Sequence, residues 1–270
     1  MSTAPPVAPA PPARRPSMLS RLAEAHATGA LQCGPGTLYL VSGRVVHAES
    51  PASPGLEVLL TTGRRVPRAV WDEALERAGI PDHVPCRLVK EGLLSPGQAE
   101  VWWLTALFDA AFFALAPRSG PSRFQHGFVR EGGGRQRSVA ADRVLRETRR
   151  RRRLLDGRWP GPEIDTAPVL RRPAAGPGVP VRLAAVLALA DGTRTPAAIA
   201  RELGRPAFHV LLEVRRLAVA GLLVLRSCDP PSDDRPSGHP DGGRPPAPGP
   251  PDPPDVALLR RVRDALEARP

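Results

Sequence analysis

The sequence predicts an α+β fold: a small antiparallel β-meander packed with helices, then a winged helix-turn-helix domain, with disordered Pro-rich termini. Three observations carry that prediction. Strand-length β-branched and aromatic runs are punctuated by Gly34-Pro35-Gly36 and Ser42-Gly43. Within residues 179–228, three helical patterns stop at Gly192, Gly204 and Gly221 before a β-branched run. Most of the 35 prolines fall outside these periodic segments, as expected of a residue that helix interiors and central strands reject.

In chain order, residues 1–17 are Pro/Ala-rich and expected to be disordered or polyproline-like. Met18 to His26 reads as a short amphipathic helix with Ser17 as cap and Leu19 and Leu22 facing inward. A two-residue Ser42-Gly43 loop then sets Leu40 opposite Val45 and Leu38 opposite His47 on one face of a hairpin. Tyr39 falls opposite Val46 on the other face. Both faces are largely apolar, so cover is expected on both sides. A loop from Pro51 to Pro54 precedes a helix from about Gly55 to Thr62.

These segments also carry a resemblance. Thr28-Gly29-Ala30-Leu31 leads into a hairpin that ends in Val46-His47-Ala48, followed by a helix with paired Leu59-Leu60. That order resembles the PATAN-type domain, a module of bacterial signalling and regulatory proteins. The resemblance assigns residues 18–135 to such a domain and implies a regulatory role, without naming functional residues.

A near-repeat follows, beginning at Gly63 and Gly92, each with a proline four residues on. Pro67 and Pro96 suit the first helical position, and Ser95 is a good cap. Trp71, Ala74 and Leu75 share one helical face, as do Trp102, Leu107 and Ala110 in the second copy. The stretch from Val84 to Gly92 connects them as a helix or turn. The doubled unit resembles the helical repeat at the N-termini of secretion-type ATPases, where it is an interaction module. Trp71, Trp102 and Trp103 are therefore candidate partner anchors, with core packing as the alternative.

Pro117 ends the second helix, and Ser122 to Val129 alternates Phe124, His126 and Phe128 as a strand returning to the sheet. Residues 136–178 read as a basic helix, Ser138 to Asp156, and an extended linker. Arg149 to Arg153 form an unbroken run, which at 100° per residue circles the helix and cannot form one recognition face. Glu147 to Arg150 also resembles the Glu-x-x-Arg-Arg linker helix that often follows such domains. In the 179–228 module, Thr195 caps a short helix opened by Pro196, and Pro206 opens a third helix. Val210, Val214, Leu217 and Ala218 face its core, leaving Arg205, His209, Leu212 and Arg216 outside. Residues 229–254 are a Pro-rich linker, and 255–270 an amphipathic helix with a stripe of Val256, Leu259, Val262 and Leu266.

The formal charge of +11 points to an acidic partner, although Lys90 is the sole lysine and arginine richness also follows from a GC-rich genome. Cys33, Cys86 and Cys228 show no CxxC or metal-ligand spacing, so reduced thiols in the cytoplasm are expected. The N-terminus lacks the apolar region of a secretory signal. The longest apolar stretch, Val101 to Ala116, carries Asp109 and is too short to span a bilayer. The six histidines show no HExxH spacing, and no catalytic motif, cofactor fingerprint or metal site stands out. At most, His47 and His126 approach each other if their strands share the sheet.

The expectation is a non-enzymatic cytoplasmic regulator that uses no cofactor or metal. Its DNA contacts would come from Arg205, His209, Arg216 and Arg226, with Arg149, Arg150, Arg152 and Arg153 on the backbone. The alternative is an adaptor in which the winged helix binds protein and Trp71, Trp102, Leu259, Val262 and Leu266 anchor the partner. A homodimer is compatible with either; a membrane partner is not expected.

Overall fold

Ser17 accepts a hydrogen bond from the Ser20 amide and so starts α1 (Met18–Glu24), which buries Leu19 and Leu22. In this computed structural model the described residues are 17–116, 121–128, 137–156, 162–172 and 180–225. The chain divides into two units, residues 1–227 and 228–270, and everything described belongs to the first. Of the 1–17 segment expected to be disordered, residues 1–16 lie outside the described residues, as do the 229–254 linker, the terminal helix with Leu259, Val262 and Leu266, and Arg226.

The meander forms as β1 (Gly29–Cys33), β2 (Gly36–Val41) and β3 (Arg44–Glu49). Ser42 and Gly43 take φ of 48° and 75°, the paired left-handed conformations of a type I′ hairpin turn. Leu40 pairs with Val45 as expected, but Tyr39 pairs with His47 and Leu38 with Ala48. The expected register fails because a bulge leaves Val46 between the pairs, shifting every later residue of β3 by one. β4 (Ser122–His126) does return to the sheet beside β1, and β5 (Val139–Ala140) closes the far edge, giving the order β4-β1-β2-β3-β5.

Leu31, Leu38, Leu40, Val45 and Ala48 bury one face of this sheet beneath α1, α5 (Pro96–Ala114) and α6 (Ala141–Asp156). The other face is not fully covered as expected. Gln32 is exposed, and Tyr39 and His47 are half-buried with ring centroids 5.7 Å apart. The bulge sets His47 rather than Val46 beside Tyr39 on this face. His126 instead meets Phe124 edge-on, with β1 and β2 between its strand and that of His47, so the two histidines do not meet.

The near-repeat forms helices around a separate core. α2 (Leu56–Thr61), α3 (Arg68–Ala78) and α4 (Val84–Lys90) gather Leu60, Trp71, Val84 and Leu88. α5 opens with a capping box between Ser95 and Gln98. It is apolar all round because it touches every core: Leu107 and Ala111 under the sheet, Trp102 toward Trp71, Phe112 and Phe113 toward the C-terminal helices. No helix among the described residues is long and apolar enough to cross a membrane.

α7 (Val181–Leu189), α8 (Pro196–Glu202) and α9 (Ala207–Val219) pack with β7 (Leu223–Leu225). The expected linker is more than a linker. It supplies Ile164 to this core and β6 (Val169–Arg171), which pairs with β7 and bridges to Asp191. A three-residue strand between Pro168 and Pro173 is too short to show alternation in the sequence.

Candidate functional site

Asp109 is the most deeply buried charged residue among those described. It sits on α5, fully buried, and accepts four hydrogen bonds from three other segments. Ser53 Oγ donates at 2.8 Å, the Ala207 and Phe208 amides at 2.7 and 3.0 Å, and Arg151 Nη1 at 3.3 Å. Pro206, the residue before α9, offers no side-chain cap, so two free amides at the start of α9 need an acceptor. A carboxylate from another helix fills that role and favours the positive end of the α9 dipole. Arg151 also reaches Glu147 at 2.9 Å and lies 4.8 Å over the Phe208 ring.

Around this knot, Phe112 of α5, Leu155 of α6, and Phe208 and Leu211 of α9 form a small core that joins the sheet layer to the C-terminal helices. Arg215 fastens the other end of α9, donating to Asp165 at 2.6 and 2.8 Å and to the Leu155 carbonyl at 2.8 Å. A backbone contact adds a third tie. Gly204 adopts φ of 57°, and a Cβ there would lie 2.1 Å from the Gly63 nitrogen. Arg65 Nη1 bonds the carbonyls of Leu59, Gly63 and Gly204 across the same seam.

This packing decides where the expected DNA-contacting residues stand. Val210, Val214, Leu217 and Ala218 are buried as expected, but Phe208 and Leu211 bury a second face of α9. Arg205 is not free: its guanidinium holds Glu213 at 2.6 Å and the Arg182 carbonyl at 3.3 Å. Glu213 itself is only 4% exposed. Leu212 is half-buried against the Phe112–Leu155 core. His209 and Arg216 stay exposed. Although its surface is exposed, desolvation by the atoms packed around the ring, then the Arg151 charge, holds the His209 imidazole below its usual basicity, which disfavours a cationic phosphate contact.

The arginine run divides as its helical periods require. Arg151 turns inward and is 8% exposed, and Arg152 is half-buried with its guanidinium on the Leu115 carbonyl. Arg149, Arg150 and Arg153 are exposed and, with Arg143 and Arg146, line a groove of about 1110 Å³ whose wall includes Phe108. Glu147 and Asp156 stand in the same groove. Glu147 is held at about 2, well below the usual carboxylate value, by hydrogen bonds from Arg150 and Arg151 that outweigh its desolvation. Asp142 pairs with Arg146, whereas Arg143, Arg149 and Arg153 form no ion pair among the described residues.

The aromatic candidates separate too. Trp71 is 1% exposed inside the α2–α4 core, so its side chain is not a partner anchor in this fold; its apolar neighbours enclose it. Trp102 is half-buried, with the Arg65 guanidinium 3.9 Å from its ring centroid. Trp103 is half-buried against the sheet core. In the sequence, Asp109 stands out only as a charge interrupting an apolar stretch. A lone carboxylate in such a helix, with an arginine-rich helix downstream, was the signal available. No family model, no curated protein and no solved structure matches the chain.

Proposed function

We propose that this chain is a non-catalytic regulatory adaptor of the bacterial signalling type. In this reading a PATAN-like interaction domain carries a winged-helix unit used for protein contact. The burial of α9 on two faces is the observation that supports it. A helix read out in the major groove has to offer its N-terminal residues to base edges. Here the first two residues of α9, Ala207 and Phe208, are buried and their amides are bound to Asp109. Arg205, which would lead such a surface, is occupied by Glu213.

Duplex binding through α9 is the second reading, favoured by the exposed Arg216. The two separate in a mobility-shift titration of the full chain with a mixed-sequence duplex at physiological salt. The adaptor reading expects Arg216→Ala to leave any duplex affinity within about twofold of the parent. A loss of about tenfold or more, with a shallower salt dependence, overturns it.

A further inference from the structure

We propose that the arginine groove of α6 is a docking site for an acidic, helix-forming segment of a protein partner; this rests on the adaptor reading and names the partner's chemistry. Three features of the groove argue for it. First, its unanswered charges are Arg143, Arg149 and Arg153, while Arg146, Arg150 and Arg152 are engaged by Asp142, Glu147 and the Leu115 carbonyl. At about 1.5 Å rise per residue, Arg149 and Arg153 are offset by about 6 Å along the helix, the step between carboxylates at i and i+4 of a facing helix.

Second, the groove is not uniformly positive. Glu147 and Asp156 stand in its wall among the arginines. A phosphate backbone, with a charge every few ångströms, meets those carboxylates wherever it runs, whereas a peptide can place acids only opposite the free guanidiniums. Third, the lining includes one apolar residue with an exposed apolar neighbour beyond it. Phe108 lines the groove with the Arg143 guanidinium 5.8 Å from its ring centroid, and Val101, two turns earlier on the same side of α5, is 58% exposed. An amphipathic acidic helix answers both kinds of lining at once, with carboxylates on α6 and an apolar residue toward Phe108.

The test is fluorescence anisotropy of the full chain with labelled peptides of about sixteen residues. One peptide carries Glu at i, i+4 spacing beside a Leu stripe, and its control replaces each Glu with Gln. The acidic peptide is expected to bind about tenfold or more tightly than the control and to weaken with salt. Arg143→Ala, Arg149→Ala and Arg153→Ala combined should remove that preference, and circular dichroism checks folding because no described ion pair is lost. Arg216→Ala, outside the groove, should change nothing. Equal binding of the two peptides, an unaffected triple variant, or displacement of the peptide by duplex DNA at the same salt overturns the proposal. The readouts are separable: duplex affinity that depends on Arg216 strikes the adaptor reading, whereas failure of the peptides alone strikes only the groove.

Discussion

A buried carboxylate with four donors is an obligation as well as an attachment. Asp109→Ala would leave the Ala207 and Phe208 amides and the Arg151 guanidinium buried without their acceptor, at a cost of about 3–5 kcal/mol. Asp109→Asn keeps one acceptor oxygen but presents an amide to donors, so it should rank between Asp109→Ala and the parent in chemical denaturation. A parent-like midpoint for Asp109→Ala would contradict the keystone role. Gly204→Ala is a backbone test at the same seam: a left-handed φ and a methyl aimed at the Gly63 nitrogen both oppose it. It should destabilise by more than the ordinary glycine-to-alanine effect of about 1 kcal/mol, read from the same midpoint. Glu147 gives the pH dependence. Its folded carboxylate titrates near 2 against an ordinary value of 4.5, so its contribution is present above about pH 4.5 and fades as pH falls toward 2. Glu147→Gln should therefore flatten the thermal midpoint across that window and leave its slope at neutral pH unchanged.

At the scale of elements, α5 and α9 explain what the sequence disclosed and what it withheld. Turn chemistry was legible: Ser42-Gly43, the Ser95 and Thr195 caps, and the glycine stops at Gly192, Gly204 and Gly221 all fall where single residues impose a conformation. The core stripe of α9 was legible for the same local reason, since Val210, Val214 and Leu217 repeat with the helix. The second buried face was not. Phe208 and Leu211 bury against residues about a hundred positions away on α5, and periodicity counts apolar residues without naming what covers them. The bulge in β3 was hidden too, because an extra residue in one strand is decided by cross-strand packing. An α9 held on two faces should exchange its amides slowly. Protection at Val210–Leu217 matching that of the sheet core, by hydrogen–deuterium exchange, is the expected result. Fast exchange there would mean the helix is held less firmly than its contacts indicate.

For the molecule as a whole, the expected boundary near residue 179 cuts through a working core. Ile164 and Val169 pack beside Val186, Val210 and Leu217, and Asp165 holds Arg215. A fragment starting at 179 should therefore show a broad, weakly cooperative melt by circular dichroism, and one starting at 162 a sharper transition. Indistinguishable melts would restore the linker reading. Because the acceptor that begins α9 is carried on α5, the C-terminal helices cannot be recombined onto a new N-terminal partner and retain their first turn, unless the newcomer brings an acid to that spot. Grafting these helices elsewhere therefore means carrying over one side chain from a distant part of the sequence.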